Sequence, residues 1–600
     1  MYYVKVGLAS CGIAAGSAAV YERFQQELTP DVTLQPTGCL GMCYCEPLVE
    51  VINSTGERYL YGNVTDKDVL RILSTHIRDG NPVTELLVDA PSTSDDDRVY
   101  FAKQSRFALQ NCGVINPEDI ESYFLVRGYE GLKKALLNMS SEQVIREVEQ
   151  AGLRGRGGAG FPTHLKWTLT RKAAGEQKYI VCNADEGDPG AFMDRSILES
   201  DPHSVLEGML LAGYAIGASK GYIYIRAEYP LAIKRLRTAI NQARQHELLG
   251  AAVLGSNFAF DIEIREGAGA FVCGEETALL MSIEGKRGMP RFRPPYPAEK
   301  GLFGCPTSIN NVETLANVPR IIDLGCEAFN RYGTEKSKGT KVFALAGKIK
   351  RGGLVEIPMG TTVNELVFSI GGGISTGKAF KAIQTGGPSG GCIPAQLGDT
   401  PVDYESLNKI GAIMGSGGLL VMDEDTCMVN LAQYFLTFAR EESCGKCSFC
   451  RSGTEQMLRI LNRITSGMGQ LSDLDLLADL GEKIKIGSMC GLGQTVPNPV
   501  LTTLKYFRHE YVAHIQDKVC PAKQCKALID YQVLAADCRS CGICKKSCPV
   551  GAIIGEKKQV YTIDSSKCIR CGLCVNSCKF HAIEVFSLPK EVAVCMEVQS

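Results

Sequence analysis

The 600-residue sequence has little net charge, one tryptophan, seven histidines and no long apolar run. Its 64 basic residues oppose 66 acidic ones, and the net charge of −2 gives no support to a protein that binds nucleic acid by neutralising phosphates. No stretch approaches the roughly 18 apolar residues that a membrane span needs. The apolar N-terminus lacks a preceding basic segment, which argues against a signal peptide. The composition, 45% hydrophobic and 22% charged, excludes a disordered chain.

Cysteine, in contrast, is abundant, with 26 copies. Most of the cysteines lie in C-x2-C groups, a spacing typical of metal or cluster ligands rather than of a disulfide framework. Free thiols in this number indicate a reducing compartment, and we therefore expect a cytoplasmic protein. The length suggests about four domains.

The region 516–600 contains the spacing C-x2-C-x2-C-x3-C twice. This is the pattern of two-cluster ferredoxins, in which the fourth cysteine of each run binds the other cluster. It predicts a ferredoxin-like domain with two [4Fe–4S] clusters, and a pair of zinc sites is the alternative. The predicted ligands are Cys538, Cys541, Cys544 and Cys578 for one cluster and Cys568, Cys571, Cys574 and Cys548 for the other.

The region 426–515 has a helical pattern and a further group, Cys444-x2-Cys447-x2-Cys450. Three cysteines at this spacing can hold three irons of a third [4Fe–4S] cluster, and the fourth ligand must come from elsewhere. Cys490 is the best candidate for it. A zinc site is the alternative.

The region 1–80 reads as a small α/β unit in which Cys11 precedes a helix and Cys39-x3-Cys43 follows a strand. This arrangement resembles a thioredoxin-like [2Fe–2S] domain. Such a domain normally carries another cysteine five residues before Cys11, where this chain has Val6. Either Cys45 replaces that ligand, or the unit is a remnant without a cluster.

A last metal candidate combines His514, Cys520, Cys525 and Cys595. Thiolates with an imidazole suit tetrahedral zinc, and ordinary free thiols are the alternative. The isolated cysteines, Cys427 among them, are expected to be small buried hydrophobic residues.

The region 98–335 alternates strands and helices, which predicts a layered α/β domain. Its glycine-rich run 152–163 would let the backbone approach a phosphate, with Lys166 and the arginines adding positive charge, although a flexible connector is the alternative. Three further loops carry amides, carboxylates and hydroxyls that suit a flavin. The region 340–425 predicts a small β-grasp-like module. The chain as a whole is thus expected to be a multidomain α/β and α+β protein.

Together, the stretches 155–167, 179–195, 224–229, 267–290, 301–314 and 442–451 closely resemble the NADH-binding flavoprotein subunit of respiratory complex I and its soluble relatives. The resemblance covers about 98–515. With the head and the tail added, the chain looks like the B subunit of electron-bifurcating hydrogenases and the matching subunit of bifurcating formate dehydrogenases and transhydrogenases.

The resemblance implies an FMN and a nicotinamide site. Three residues depart from the complex I pattern: His164 replaces glycine, Asp188 replaces glutamate and Phe271 replaces tyrosine. The residues implied at the two cofactors are Gly155, Arg156, Gly157, Lys166, Asn183, Asp185, Glu186, Asp188, Asn310, Asn311 and Thr314 for FMN and its loop, and Phe161, Phe271, Gly274, Glu275, Glu276 and Phe303 near NAD(H).

The implied reaction is hydride transfer between NADH and the flavin, followed by one-electron transfer through the clusters. The fused ferredoxin-like tail favours a bifurcating subunit that exchanges electrons with ferredoxin. A non-bifurcating diaphorase subunit and a non-enzymatic cluster scaffold are the alternatives. The sequence has no motif for a third redox couple, so we expect partner subunits: a thioredoxin-like [2Fe–2S] protein and a hydrogenase, formate dehydrogenase or transhydrogenase subunit.

Overall fold

The computed structural model describes residues 2–91 and 99–587. These residues form two compact units, one up to Val421 and the other from Met422 onward. Within the described ranges, every helix is too short or too polar to cross a bilayer. The structure contains both α/β and α+β elements, as expected.

The first sheet belongs to the N-terminal region. Its spatial order is β2-β1-β3-β4-β5, with β1 parallel to β2 and antiparallel to β3. Val4, Val6 and Phe24 are fully buried and form part of its core. The likeness to thioredoxin stays a prediction. The elements are strands β1 (Tyr2–Gly7), β2 (Val32–Thr37), β3 (Val49–Ile52), β4 (Arg58–Tyr61) and β5 (Leu87–Asp89), and helices Ser10–Ala15, Ser17–Glu27 and Asp68–Arg71, the last extended by a turn Ile72–Arg78.

The second sheet has four parallel strands in the order β8-β7-β6-β9. Helix Pro202–Ile216 is buried at every position except Tyr214, since its sequence is apolar on nearly all sides. The strands are β6 (Tyr179–Ala184), β7 (Lys220–Arg226), β8 (Asp261–Gly267) and β9 (Thr307–Asn311). The helices are Val99–Ala102, Ile120–Leu125, Glu130–Asn138, Ser141–Gln150, Thr163–Lys172, Met193–Ser200, Pro202–Ile216, Pro230–Gln245, Glu276–Ile283, Pro297–Lys300, Val312–Leu324 and Glu327–Asn330.

The third sheet is mixed, in the order β11-β10-β14-β12-β13. Its strand β10 is antiparallel to β11 and parallel to β14. The β-rich character agrees with the sequence pattern, and the β-grasp description stays a prediction. The elements are β10 (Thr340–Gly347), β11 (Gly353–Pro358), β12 (Phe380–Thr385), β13 (Gly391–Pro394) and β14 (Gly418–Asp423), with helix Tyr404–Lys409 and a turn Glu365–Ile370.

The second unit is a helical region followed by a small duplicated tail. In the tail, Gly542 and Gly572 have φ of 73° and 78° and each precedes a five-residue helix, so the two cysteine runs adopt the same local structure. The helices are Met428–Glu441, Ser448–Thr465, Ser472–Gly487, Gly491–Thr495, Asn498–Tyr506, Arg508–Val512, Ile543–Ser547 and Leu573–Ser577. The strands are β15 (Ile529–Val533), paired with β18 (Ile583–Ser587), and β16 (Ile553–Ile554), paired with β17 (Thr562–Ile563).

Candidate flavin and metal sites

The parallel sheet gathers most of the predicted flavin residues at its carboxyl edge. Asn183, near the end of β6, is in register with Tyr224 of β7 and with Asn311 of β9. In open α/β sheets, ligands bind in the crevice beyond this edge. The loops that leave the edge carry Asp185, Glu186 and Asp188 after β6, Gly274, Glu275 and Glu276 after β8, and Thr314 after β9.

The glycine-rich loop folds back on itself beside this edge. The Gly155 amide donates to the Phe161 carbonyl at 2.9 Å. A Cβ at Gly157 would lie 2.9 Å from the Asn311 Cβ, too close for a side chain. Gly158 and Gly160 have φ of 129° and 63°, a region that favours glycine. The loop therefore presents main-chain atoms to the polar edge, as phosphate binding by amides requires.

The Arg156 side chain departs from the expectation that it adds charge to this loop. It is 1% exposed, and its guanidinium donates to the carbonyls of Arg154 at 2.7 Å, Lys338 at 2.8 Å and Thr340 at 2.8 Å. Its main-chain amide donates to the Thr314 hydroxyl at 2.8 Å. Arg156 thus fastens the loop to its neighbours, and only its backbone faces the loop.

Lys166 is the cation that the sheet edge does receive. Its Nζ lies 2.5 Å from a Glu276 carboxylate oxygen and 2.9 Å from the Ile309 carbonyl. The next residue, the fully buried Trp167, donates its indole N–H to Asn310 at 3.0 Å. Helix Thr163–Lys172 is therefore tied to β9, which fixes the lysine at the edge.

Two of the predicted carboxylates serve as helix caps. Glu186 accepts the amides of Asp194 and Arg195, both at 3.1 Å, at the start of helix Met193–Ser200. Glu275 accepts the amides of Thr277 at 2.9 Å and Ala278 at 3.0 Å. Burial raises the pKa of Glu186. Both residues thus position backbone at the edge.

Asp188 joins the edge to the third sheet. Its carboxylate accepts a hydrogen bond from the Ser416 hydroxyl, and a Cβ at Gly387 would lie 2.6 Å from an Asp188 oxygen. Burial raises the pKa of Asp188 to about 6, against the hydrogen bond from Ser416.

The predicted aromatic residues divide between two places. Phe161 lies in the glycine-rich loop and is 43% exposed, and Phe271 packs against Gly187 after β6. Phe303 is 53% exposed, but its ring lies 6.0 Å from that of Tyr179, at the beginning of β6. Phe161 and Phe271 are thus available beside the polar edge for stacking, and Phe303 is not brought to it.

Sequence reasoning missed Asp194 and Arg195, although both fall in a stretch that carries the resemblance. The Asp194 carboxylate accepts from the Asn311 amide at 2.6 Å, and burial raises its pKa well above the usual range. The Arg195 main chain binds Glu186, and its guanidinium reaches the Cys11 sulfur at 3.7 Å. One arginine therefore spans from the flavin edge to the N-terminal thiols.

The head brings together three of its four predicted cysteines. The Cys43 thiol hydrogen-bonds with both Cys11 and Cys39. Cys45 lies apart: its thiol donates to the Met42 carbonyl at 3.5 Å, and it packs with Leu60 in a hydrophobic cluster. The head also contacts helix Met193–Ser200, where the Cys39 amide donates to the Ser200 hydroxyl at 2.9 Å.

The second unit assembles the cysteine runs as their spacing predicts. Cys444 and Cys447 lie close enough to Cys450 to raise the pKa of its thiol, although burial is the larger cause. A Cβ at Gly493, three residues after Cys490, would lie 3.2 Å from the Cys450 Cβ. The helix that Cys490 caps is therefore beside this group.

The tail shows the crossed arrangement. Cys548, from the first run, lines one pocket together with Cys568, Cys571 and Cys574 of the second. In the other direction, Cys578 lies near Cys544 together with Cys538 and Cys541, and these thiols add to the effect of burial in raising the pKa of Cys544.

The last metal candidate differs from its prediction in one ligand. Cys427, expected to be an isolated core residue, joins His514, Cys520 and Cys525, and one ligand atom from each lies within 4.8 Å of the others. Cys595, the predicted fourth member, lies outside the described residues. No spacing signal could have found Cys427, because it is 87 residues from His514 in the chain.

The geometry of this cluster suits a tetrahedral metal. The Cys427 sulfur lies 3.7 Å from that of Cys525, and Zn–S bonds of about 2.3 Å would separate two sulfurs by about 3.8 Å. His514 uses Nδ1 with the Glu510 carbonyl at 2.7 Å, which directs Nε2 toward the sulfurs. The four donors are buried.

Comparison with known proteins agrees with these sites. Residues 148–320 match the Nuo51 FMN-binding domain, 430–514 the NADH-ubiquinone oxidoreductase-F iron–sulfur binding region, and 561–584 the 4Fe-4S binding domain. The NADP-reducing hydrogenase protein HndC of Solidesulfovibrio fructosivorans is 57% identical over 457 residues, which are 76% of this chain and 93% of that protein. The chain belongs to the family of NADH-binding flavoproteins of complex I and related hydrogenases.

Other members of this family cover less of the chain or are less similar. The second F-type component of the NADH-quinone oxidoreductase of Rhizobium meliloti is 45% identical over 69% of this chain and 98% of its own. A crystal structure of an NAD⁺-reducing [NiFe]-hydrogenase aligns with a TM-score of 0.62 and 30% identity, covering 86% of this chain and 84% of that one. The predicted resemblance is thus confirmed, and the protein is an NAD-dependent FMN and iron–sulfur oxidoreductase.

Proposed function

We propose that this chain is the NAD(H)-oxidising and NAD(H)-reducing subunit of an electron-bifurcating complex, which passes electrons to ferredoxin and to a partner redox subunit. The observation that carries the proposal is the fusion, in one chain, of a flavin-binding edge with a tail that holds two crossed sets of four cysteines. A ferredoxin-like module attached to an NADH-binding flavoprotein provides the low-potential branch that bifurcation needs.

FMN would supply the conversion between the two electrons of a hydride and the single electrons of the clusters. The chain's own residues would hold it in place. The Gly155–Gly160 loop would offer amides to the phosphate, with Lys166 as the nearby cation, while Asn183, Asn310 and Asn311 would face the polar parts of the flavin. Phe161 and Phe271 would exclude water beside the nicotinamide.

We further propose that iron–sulfur clusters occupy the head, the Cys444 group and both tail sets, and that zinc occupies the Cys427 cluster. The head would exchange electrons with the flavin, since Arg195 binds Glu186 through its backbone and Cys11 through its guanidinium. The third redox couple would belong to a hydrogenase, formate dehydrogenase or transhydrogenase partner, joined by a thioredoxin-like [2Fe–2S] protein.

A non-bifurcating diaphorase is the second candidate, and one observation favours it. The structure that aligns over 86% of this chain is an NAD⁺-reducing [NiFe]-hydrogenase. Reduction of ferredoxin separates the two. With the complex purified without oxygen, a bifurcating or confurcating enzyme would turn over ferredoxin only when NAD(H) and the third substrate are both present.

The flavin assignment has its own test within the chain. Lys166→Met should lower the FMN content and the bleaching of the flavin by NADH, because it removes the cation at the sheet edge. Lys172→Met, a charge loss at the end of the same helix, should change neither. Equal FMN content in both variants would contradict the role given to Lys166.

A further inference from the structure

The head has three clustered thiols and no cysteine at the expected fourth position. Val6 occupies that position and is fully buried in the core of the first sheet. Cys45, the alternative from the sequence, is directed away: its Cβ lies 3.1 Å from where a Cβ at Gly62 would stand, and its thiol donates to Met42. A four-coordinate iron site in the head therefore needs another donor.

The Glu46 carboxylate occupies the space beside Cys11. Its Oε2 would lie 3.1 Å from a Cβ at Gly12 and 3.6 Å from a Cβ at Gly7. A side chain at Gly12 has no room, because it would also meet the Gly7 carbonyl at 2.5 Å. Two glycines thus leave a place for this carboxylate next to the start of the helix that carries Cys11.

The environment also orients the carboxylate and desolvates it. Oε2 accepts the Leu48 amide at 3.0 Å, which leaves Oε1 for a second contact. Burial, and to a smaller extent the Cys11 sulfur, raises the pKa of the Glu46 carboxyl to about 7. A carboxylate in a desolvated place is stabilised by a nearby cation.

We propose that Glu46, not Cys45, is the fourth ligand of a [2Fe–2S] cluster held by Cys11, Cys39 and Cys43. Iron accepts carboxylate oxygen as well as thiolate, and replacement of cysteine by another donor on one iron is known chemistry for this type of cluster. The inference rests on the cluster proposed above for the head, and it changes the ligand on one iron only.

The test uses the full-length protein, reconstituted anaerobically with iron and sulfide and reduced with dithionite. The [2Fe–2S] EPR signal is recorded at a temperature at which the faster-relaxing [4Fe–4S] signals have broadened away. The variants are Glu46→Gln, Glu46→Ala, Glu46→Cys and Cys45→Ala. Glu57→Gln, a change in the exposed β3–β4 turn of the same sheet, is the matched control.

We expect Cys45→Ala and Glu57→Gln to keep the wild-type signal, and Glu46→Gln and Glu46→Ala to lose it. Glu46→Cys should restore a [2Fe–2S] signal with shifted g-values, which a purely structural glutamate would not produce. Loss of the signal in Cys45→Ala with retention in Glu46→Gln would overturn the proposal. A wild-type protein without the signal would also overturn it, while bleaching of its flavin by NADH would show that the proposed flavoprotein function survives.

Discussion

The two ends of the chain hold cysteines in different ways. In the tail, each set takes three ligands from one short loop and helix and the fourth from the duplicate run, so the spacing alone predicts both sets. In the head, Cys11 comes from one βα connection and Cys39 and Cys43 from another, and the spacing leaves the fourth ligand open. Local repetition therefore fixes a site from sequence, and dispersed ligands need the fold.

The Cys427 cluster lies between these cases. Cys520 and Cys525 form a short local motif, whereas Cys427 and His514 come from the beginning and the end of the helical region. The local half was predicted and the remote half was assigned to Cys595 in place of Cys427. The comparison predicts that removal of a remote ligand costs as much as removal of a local one, because a metal does not distinguish them.

Cys427→Ser should give the largest effect. Structural zinc binding contributes about 10–16 kcal/mol in small zinc domains, so loss of one of four ligands should abolish one zinc per chain and lower the unfolding midpoint. Elemental analysis and calorimetry measure both. Cys392→Ser, at a buried thiol in β13, should keep the zinc. Unchanged zinc in Cys427→Ser would disprove the site.

The crossed ligation of the tail is tested by pairs of variants. Cys548→Ser or Cys571→Ser alone should each remove about four irons, the content of one cubane. If both residues bind one cluster, the double variant loses no more iron than either single variant. Cys548→Ser with Cys541→Ser should instead lose about eight irons, from two clusters. The opposite result would show that each run binds its own cluster.

Arg195→Met sharpens the contrast in the head. Removal of a cation 3.7 Å from the Cys11 sulfur should make reduction of the head cluster harder. A tenfold change in a one-electron equilibrium is about 59 mV, and we expect a negative shift of roughly that size. Redox titration followed by EPR measures it. Arg237→Met, which breaks an exposed pair with Glu266, is the control, and an equal shift there would exclude a local effect.

The flavin edge shows how far sequence reasoning reaches. Residue types and strand order placed Asn183, Asn311 and Lys166 correctly at one edge, because parallel strands bring their carboxyl ends together. The direction of each side chain was not predictable: Arg156 turns into the interior, and Phe303 lies at the start of β6. Arg195 was missed because its role depends on how the head packs, and no local pattern encodes that packing.

The smallest expected effect concerns Asp188, where the edge meets the third sheet. Burial raises its pKa to about 6, above the ordinary value of 3.8, so the ionised carboxylate destabilises the folded state above about pH 6. That cost fades as the pH falls through the folded pKa toward the unfolded one. Asp188→Asn should therefore stabilise the FMN-free protein at pH 7.5 by about 1–2 kcal/mol, allowing for partial solvent screening.

The pH dependence separates this cause from a general effect of the substitution. The gain in unfolding midpoint for Asp188→Asn should be clear at pH 7.5 and smaller at pH 5, where the wild-type carboxyl is mostly protonated. Asp399→Asn, at an exposed carboxylate beside the same sheet, should show no such trend. A gain that is equal at both pH values would mean that the charge of Asp188 is compensated in the fold, and that the edge tolerates a buried anion there as it tolerates Glu186.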